Sequence, residues 1–235
     1  MTTRGRRGAA LVALGVVLAV LTTACVRSEG QEDEAGRRSV PRSLSRAESA
    51  AEDTIDLVLA GKRDKAIRSA GDLDSLTQGD LAEDLEGIAS KEELGQLRAR
   101  AAELAKLAPS GEPIAVALAA NHAFELIAQL FGKFESDVPA SVLRLDYLDF
   151  EAKLRALAHE IDGVRSSVNG LSATWGELVK TFPSGDKAAA ARTEFEAHVA
   201  AMTSLAAAGT DFEGLAKEAQ HGLDLVDKLE AVYTG

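Results

Sequence analysis

Three groups of residues could carry chemistry in this sequence. His198 lies four residues after Glu194, and His122 lies three residues before Glu125. On a helix, both spacings place an imidazole and a carboxylate on the same face, an arrangement that can bind a metal ion. A second group is made of polar residues at or beside apolar positions. The third is the only cysteine of the chain.

The two histidine pairs differ in their surroundings. His198 falls between the helical directions of Met202 and Leu205, so it lies on or beside an apolar stripe. A buried histidine that is hydrogen-bonded at a helix boundary is therefore the alternative to a metal ligand. His122 points away from the apolar stripe of its own helix, and for the pair His122/Glu125 the alternative is a solvated helix face.

The segment His122-Ala-Phe-Glu125 is similar to part of the Gly-x-His-x-x-Glu motif of the imelysin family. Members of this family are helical-bundle extracytoplasmic proteins linked to iron acquisition. Ala120 occupies the position of the motif's glycine. The resemblance implies an accessory of metal uptake that holds iron or copper through His122 and Glu125, or through His198 and Glu194.

The polar residues at apolar positions are Asp146 and Asn121. Asp146 lies about 40° from Phe150 on a helical wheel, inside an apolar arc. A buried carboxylate is costly unless it is paired or hydrogen-bonded. The sequence predicts an internal ion pair, for which Lys153 reaches the same edge, or a bond to a helix end. The alternative is a polar wall of a small ligand site, with Asn121 at its edge.

Recognisable catalytic motifs are missing from the sequence. There is no glycine-rich phosphate loop after a strand, no His-Glu-x-x-His and no Gly-x-Ser-x-Gly. A single cysteine excludes an intramolecular disulfide and a zinc site with several cysteines. We therefore expect a non-enzymatic protein that binds or scaffolds an unknown protein or small ligand without a resident cofactor. A hydrolase with an unrecognised pair of acids is the alternative.

Cys25 lies at the end of an export signal. The first seven residues carry three arginines, and Ala9–Leu21 is an apolar run of 13 residues, too short to span a bilayer. The segment Leu21–Cys25 resembles the lipobox of bacterial lipoproteins, with Thr22 where leucine or valine is usual. The resemblance implies cleavage before Cys25 and diacylglycerol on its thiol. The alternatives are an ordinary cleaved signal and an uncleaved anchor.

The lipobox implies a lipid-anchored protein on the extracytoplasmic face of the cell membrane, with the bilayer as a partner through Cys25. Residues 1–24 are the predicted signal peptide and residues 25–40 a flexible, polar tether. Residues 41–235 are the predicted folded domain. Loss of the signal peptide, which has three arginines and no acid, takes the net charge from −11 to −14. This charge opposes binding to nucleic acid.

The domain is predicted to be all-α, an up-and-down helical bundle. Apolar residues recur at steps of three and four in five segments, which indicates five amphipathic helices. Residues 45–107 show a weaker pattern, and we assign them to the same bundle. Ser45/Glu48, Ser90/Glu93 and Thr210/Glu213 are predicted capping boxes. The five stripes begin at Val116, Leu143, Val164, Phe195 and Leu215.

Overall fold

The computed structural model describes residues 38–235. The predicted signal peptide, Cys25 and the tether up to residue 37 lie outside the described residues. Nine α-helices make up most of residues 38–235, and the only β-structure there is an isolated bridge. The helices are α1 (Arg42–Leu59), α2 (Arg63–Gln78), α3 (Asp80–Asp84), α4 (Lys91–Leu107), α5 (Pro113–Phe131), α6 (Ala140–Leu157), α7 (Ile161–Leu178), α8 (Asp186–Ala208) and α9 (Phe212–Thr234).

The eight longer helices form two rings of four. In the first ring, α1 packs on α2, α2 on α4, α4 on α5, and α5 closes back on α1. In the second ring, α6, α7, α8 and α9 pack in the same cyclic order, and α9 closes on α6. The helices α5 and α6 join the rings along one seam, and a single apolar core runs through both. The all-α helical bundle is confirmed, with residues 45–107 contributing to the first ring.

The apolar stripes explain why these helices pack as they do. The five predicted stripes begin in α5 to α9, one in each helix, and their leading residues are buried. Burial of a large apolar side chain contributes about 1.5–3 kcal/mol, so these stripes fix the rotation of each helix. Trp175, which continues the stripe that begins at Val164, is 5% exposed. Leu157 continues the stripe that begins at Leu143, but it is the last residue of α6 and is 40% exposed.

One of the three predicted capping boxes is confirmed. Ser90 accepts a hydrogen bond from the amide of Glu93, and the Glu93 side chain accepts one from the amide of Ser90. The prediction at Ser45 is wrong, because α1 begins three residues earlier, after Pro41. The prediction at Thr210 is wrong by one residue, because Asp211 caps α9 by accepting from the amide of Gly214.

The described chain enters the first ring through a short extended segment. Ser39 forms the isolated parallel bridge with Glu135, whose amide donates to the carbonyl of Arg38 at 2.9 Å. Val40 packs against the core. Residues 38–40, which the sequence assigned to the tether, therefore belong to the described fold.

Within residues 38–235, α5 is long and apolar enough to cross a membrane by length and composition. More than half of its most apolar stretch is buried among the other helices. The same property is found in core helices, and α5 occupies the centre of this fold, where it contacts α1, α4 and α6.

Candidate functional site

One concave site lies where the two rings meet. Helix α1 of the first ring and α9 of the second form its walls, and α6 forms its floor. The site has a volume of about 400 Å³, within the range of small-ligand pockets. Seven carboxyl groups line it, and we call it the acidic cleft: Glu48, Glu52 and Asp56 from α1, Asp146 from α6, and Asp224, Asp227 and Glu230 from α9.

The acidic cleft has almost no counter-charge from the protein. Within residues 38–235, none of its seven carboxyl groups forms an ion pair with a lysine or an arginine. Lys153 borders the cleft, but its ammonium donates to Gln220 at 2.6 Å and lies 5.8 Å from the centre of the Phe150 ring. Its charge still acts on Asp56 and Asp224, which lie at the same end of the cleft. Most of the negative charge is therefore left for solvent or a ligand to balance.

The α1 wall holds protons near neutral pH. Burial raises the pKa of Glu48 to about 8, with further increases from the charges of Glu52 and Glu230. Burial also raises the pKa of Glu52 to about 7, although a hydrogen bond with Asp146 acts in the opposite direction. These two groups are half-buried, so water does not fully compensate their charge. A cation in the cleft would favour their ionised forms and release protons.

Asp146 is the floor of the acidic cleft. It retains a small accessible area, yet the helices around it desolvate its carboxyl, and this raises its pKa well above the usual range. The charge of Glu52 and the hydrogen bond between the two carboxyl groups act in the same direction. Two carboxyl groups can share a hydrogen bond only if one of them carries a proton. The structure therefore shows a carboxyl pair at Asp146 on the lining of a concave site. The sequence predicted an internal ion pair or a bond to a helix end, with a polar wall of a ligand site as the alternative.

Asn121 does not reach the acidic cleft. It is completely buried between α5 and α6, where its amide donates to the carbonyl of Tyr147 at 3.3 Å and to Glu151 at 2.8 Å. Its side-chain oxygen has no hydrogen-bond partner. The structure thus gives Asn121 a packing position at the seam and does not bring it together with Asp146.

His122 and Glu125 line a second pocket of about 440 Å³, on which Tyr147 and residues of α4 also border. Their side chains have separate partners there. The Glu125 carboxylate accepts from Arg144 at 2.9 Å, and the His122 ring lies 3.7 Å from the Glu151 carboxylate. Glu151 has its pKa lowered to about 2, because bonds from His122, Asn121 and Arg155 outweigh the effect of burial.

His198 lies inside the second ring, with its side chain fully buried. Its Nε2 lies 3.0 Å from an Asp149 oxygen of α6, and its Nδ1 lies 2.9 Å from a Glu218 oxygen of α9. We call these three residues the His198 trio. Glu194, its predicted partner, instead accepts from Lys228 at 2.6 Å on the surface. The structure therefore separates Glu194 from His198.

Gly222 is the reason that α9 can approach the His198 trio. A Cβ atom at this position would lie 2.4 Å from the second Asp149 oxygen and 2.4 Å from His198 Nε2. Both distances are far below van der Waals contact, so any residue larger than glycine would displace either α9 or the side chains of Asp149 and His198. That Asp149 oxygen is buried and has no hydrogen-bond partner.

Sequence reasoning missed the acidic cleft, although one signal was present. Glu48, Glu52 and Asp56 are spaced by four on α1, and no lysine or arginine lies between Glu48 and Asp56 in the sequence. Like charges at this spacing destabilise a helix by a few tenths of a kcal/mol per pair. A row of three acids is therefore unfavourable for the helix itself, which indicates a role outside helix stability. The facing acids of α9 lie more than 160 residues away in sequence.

The predicted metal ligands do not converge. In residues 38–235, no three histidine, cysteine, aspartate or glutamate side chains are arranged to hold a metal ion. Comparisons of the chain with protein-family models, curated proteins and solved structures found no match.

Proposed function

We propose that this protein is a lipid-anchored, extracytoplasmic binding protein whose acidic cleft takes a ligand with several amino or guanidinium groups. The observation that carries the proposal is the convergence of seven carboxyl groups from three helices on one cleft without lysine or arginine partners. The anchor is supported by the lipobox-like segment Leu21–Cys25 and the apolar run before it. Two acyl chains on Cys25 would hold the chain stably at a bilayer.

The distribution of the acids favours an extended polycation over a single metal ion. Glu48 and Asp56 are eight residues apart on α1, which corresponds to about 12 Å along the helix. Asp224 and Glu230 spread the charge of the opposite wall over about 9 Å. A ligand with cationic groups along its length, such as a polyamine or a lysine- and arginine-rich peptide, can pair with both walls at once.

The test is a titration of the full chain, purified in a non-ionic detergent, with spermidine and separately with hexalysine. We expect saturable binding at low ionic strength that weakens with added salt, because the contacts are charge pairs. Tighter binding of spermidine would indicate a polyamine ligand, and tighter binding of hexalysine a peptide. Absence of saturable binding by both probes would overturn the proposal.

A matched pair of variants locates the binding. Glu52→Gln with Asp227→Asn removes one charge from each wall, and we expect about tenfold weaker binding. Asp53→Asn with Asp64→Asn removes two exposed charges outside the cleft and should leave the affinity unchanged. Equal weakening by both pairs would show that only the net charge of the protein matters.

The Glu52–Asp146 pair favours a second candidate, a hydrolase. Two carboxyl groups that share a proton in a cleft can serve as general acid and general base. Incubation of the full chain with a panel of peptide and glycoside substrates tests this candidate. Turnover that is lost in both Glu52→Gln and Asp146→Asn would establish it, and absence of turnover would leave the binding function.

A further inference from the structure

The geometry of the His198 trio requires one proton more than a neutral imidazole and two ionised carboxylates carry. A neutral imidazole has one N–H donor, and its other nitrogen carries a lone pair. Both ring nitrogens of His198 lie within 3.0 Å of a carboxyl oxygen. With two ionised carboxylates, a neutral ring would direct its lone pair at one of them. The arrangement is satisfied when His198 is an imidazolium, or when one carboxyl is protonated and donates to the ring.

The charged groups around His198 are few. Asp149 faces it from α6, and Glu218 faces it from α9. His221, also on α9, has its ring centre 6.3 Å from that of His198. On α8 itself, Glu194 is engaged by Lys228.

On α7, which also packs against α8, Arg165 donates to the carbonyl of Ala206, about two turns from His198. Asp162 pairs with Arg165, and Glu177 pairs with Lys180. In residues 38–235, the ion pairs of His198 are therefore those with Asp149 and Glu218.

We propose that the His198 trio is a proton-operated latch that fastens α8 and α9 to α6. With the proton bound, the imidazole bridges the three helices through two charge-assisted hydrogen bonds. Without it, the buried Asp149 carboxylate and the half-buried Glu218 carboxylate face one neutral imidazole. The packing of α8 and α9 against α6 then loosens locally. The latch is independent of what the acidic cleft binds.

The titration of the trio agrees in direction. Burial alone would lower the pKa of His198, but its bonds to Asp149 and Glu218 outweigh burial and raise the pKa. Burial raises the pKa of Asp149 to about 6, although His198 opposes this shift. A raised folded-state pKa stabilises the fold at low pH, and that contribution is lost as pH rises through the raised value. Ionisation of Asp149 completes the charge-assisted pair with the imidazolium, and the latch loosens as pH rises through the pKa of His198, which lies above its usual value of 6.5.

Hydrogen exchange of the full chain, corrected for the intrinsic pH dependence of exchange, tests the latch. Between pH 6 and pH 9, protection of peptides around His198 and Glu218 should fall at least tenfold more than protection of α2 and α4. His198→Gln should abolish this excess, whereas His221→Asn, a nearby exposed histidine, should retain it. Equal pH dependence in both rings of the wild-type protein would overturn the proposal.

A second measurement uses only the wild-type protein, so it does not require that a variant fold. Nitrogen NMR of the wild-type chain with labelled histidine reports the protonation of each ring. We expect the His198 ring at pH 6 to show two protonated nitrogens, or one nitrogen hydrogen-bonded to a protonated carboxyl. A ring with an unbonded, unprotonated nitrogen at pH 6 would overturn the latch.

Discussion

Replacement of Gly222 by alanine should destabilise the protein, although alanine is the better helix former. In the middle of a helix the change from glycine to alanine contributes about 1 kcal/mol of stability. At this position the new methyl would lie 2.4 Å from Asp149 and from His198, so α9 must move or the ion pair must break. Disruption of a buried pair costs about 3–5 kcal/mol. The net effect is a loss of about 2–4 kcal/mol.

Gly71 provides the matched control, because it lies in the middle of α2 and a Cβ there meets nothing within 4 Å. Gly71→Ala should stabilise the protein by about 0.5–1 kcal/mol. Urea unfolding followed by circular dichroism and Trp175 fluorescence measures both variants. For a domain of this size we expect the melting temperature of Gly222→Ala to fall by about 4–16 °C. A Gly222→Ala protein as stable as wild type would refute the close approach of α9 to the trio.

Three further predictions concern the cleft, a helix cap and the anchor. Stability should fall between about pH 4.5 and pH 8, because Glu48 and Glu52 keep their protons in the folded protein over this range whereas the unfolded chain has already lost them. Glu48→Gln should therefore raise the free energy of unfolding at pH 9 by about 2–3 kcal/mol, and an unchanged value would contradict the burial argument. Ser90→Ala should cost about 1 kcal/mol in urea unfolding, since it removes a formed capping box, and a loss below 0.3 kcal/mol would argue against it. Cys25→Ala should move the protein from the membrane to the soluble fraction or stall its processing, whereas an intact mass with a free thiol in the wild type would exclude lipidation.

The five clearest helices could be predicted because their evidence is local. Steps of three and four place apolar residues on one stripe, and each stripe needs a partner surface to become buried. The two-ring arrangement could not be predicted in the same way, because it depends on how α1 to α4 close around α5. Alanine-rich and interrupted stripes in residues 45–107 leave that closure undetermined in the sequence.

The sites were harder to predict than the helices because their members are far apart in the chain. His198 was recognised as a residue at the edge of an apolar stripe, yet its partners Asp149 and Glu218 come from other helices. The nearest carboxylate in sequence, Glu194, was predicted as its partner, but Lys228 engages it on the surface. A contact between helices depends on their packing angle and offset, which helical periodicity does not specify.

The central claim is that the acidic cleft binds a polycation. Calorimetric titration tests it most directly. The full chain is titrated with spermidine, or with hexalysine if it is the tighter ligand, in two buffers of different ionisation enthalpy. At pH 7.5 the acidic cleft holds protons on Glu48 and, in part, on Glu52. A polycation that enters the cleft must favour the ionised carboxylates, so binding should release up to about one proton per protein chain. The difference between the binding heats in the two buffers gives the number of protons released. Binding without proton release, or the same release in the Glu48→Gln/Glu52→Gln variant, would contradict the assignment of the cleft as the binding site.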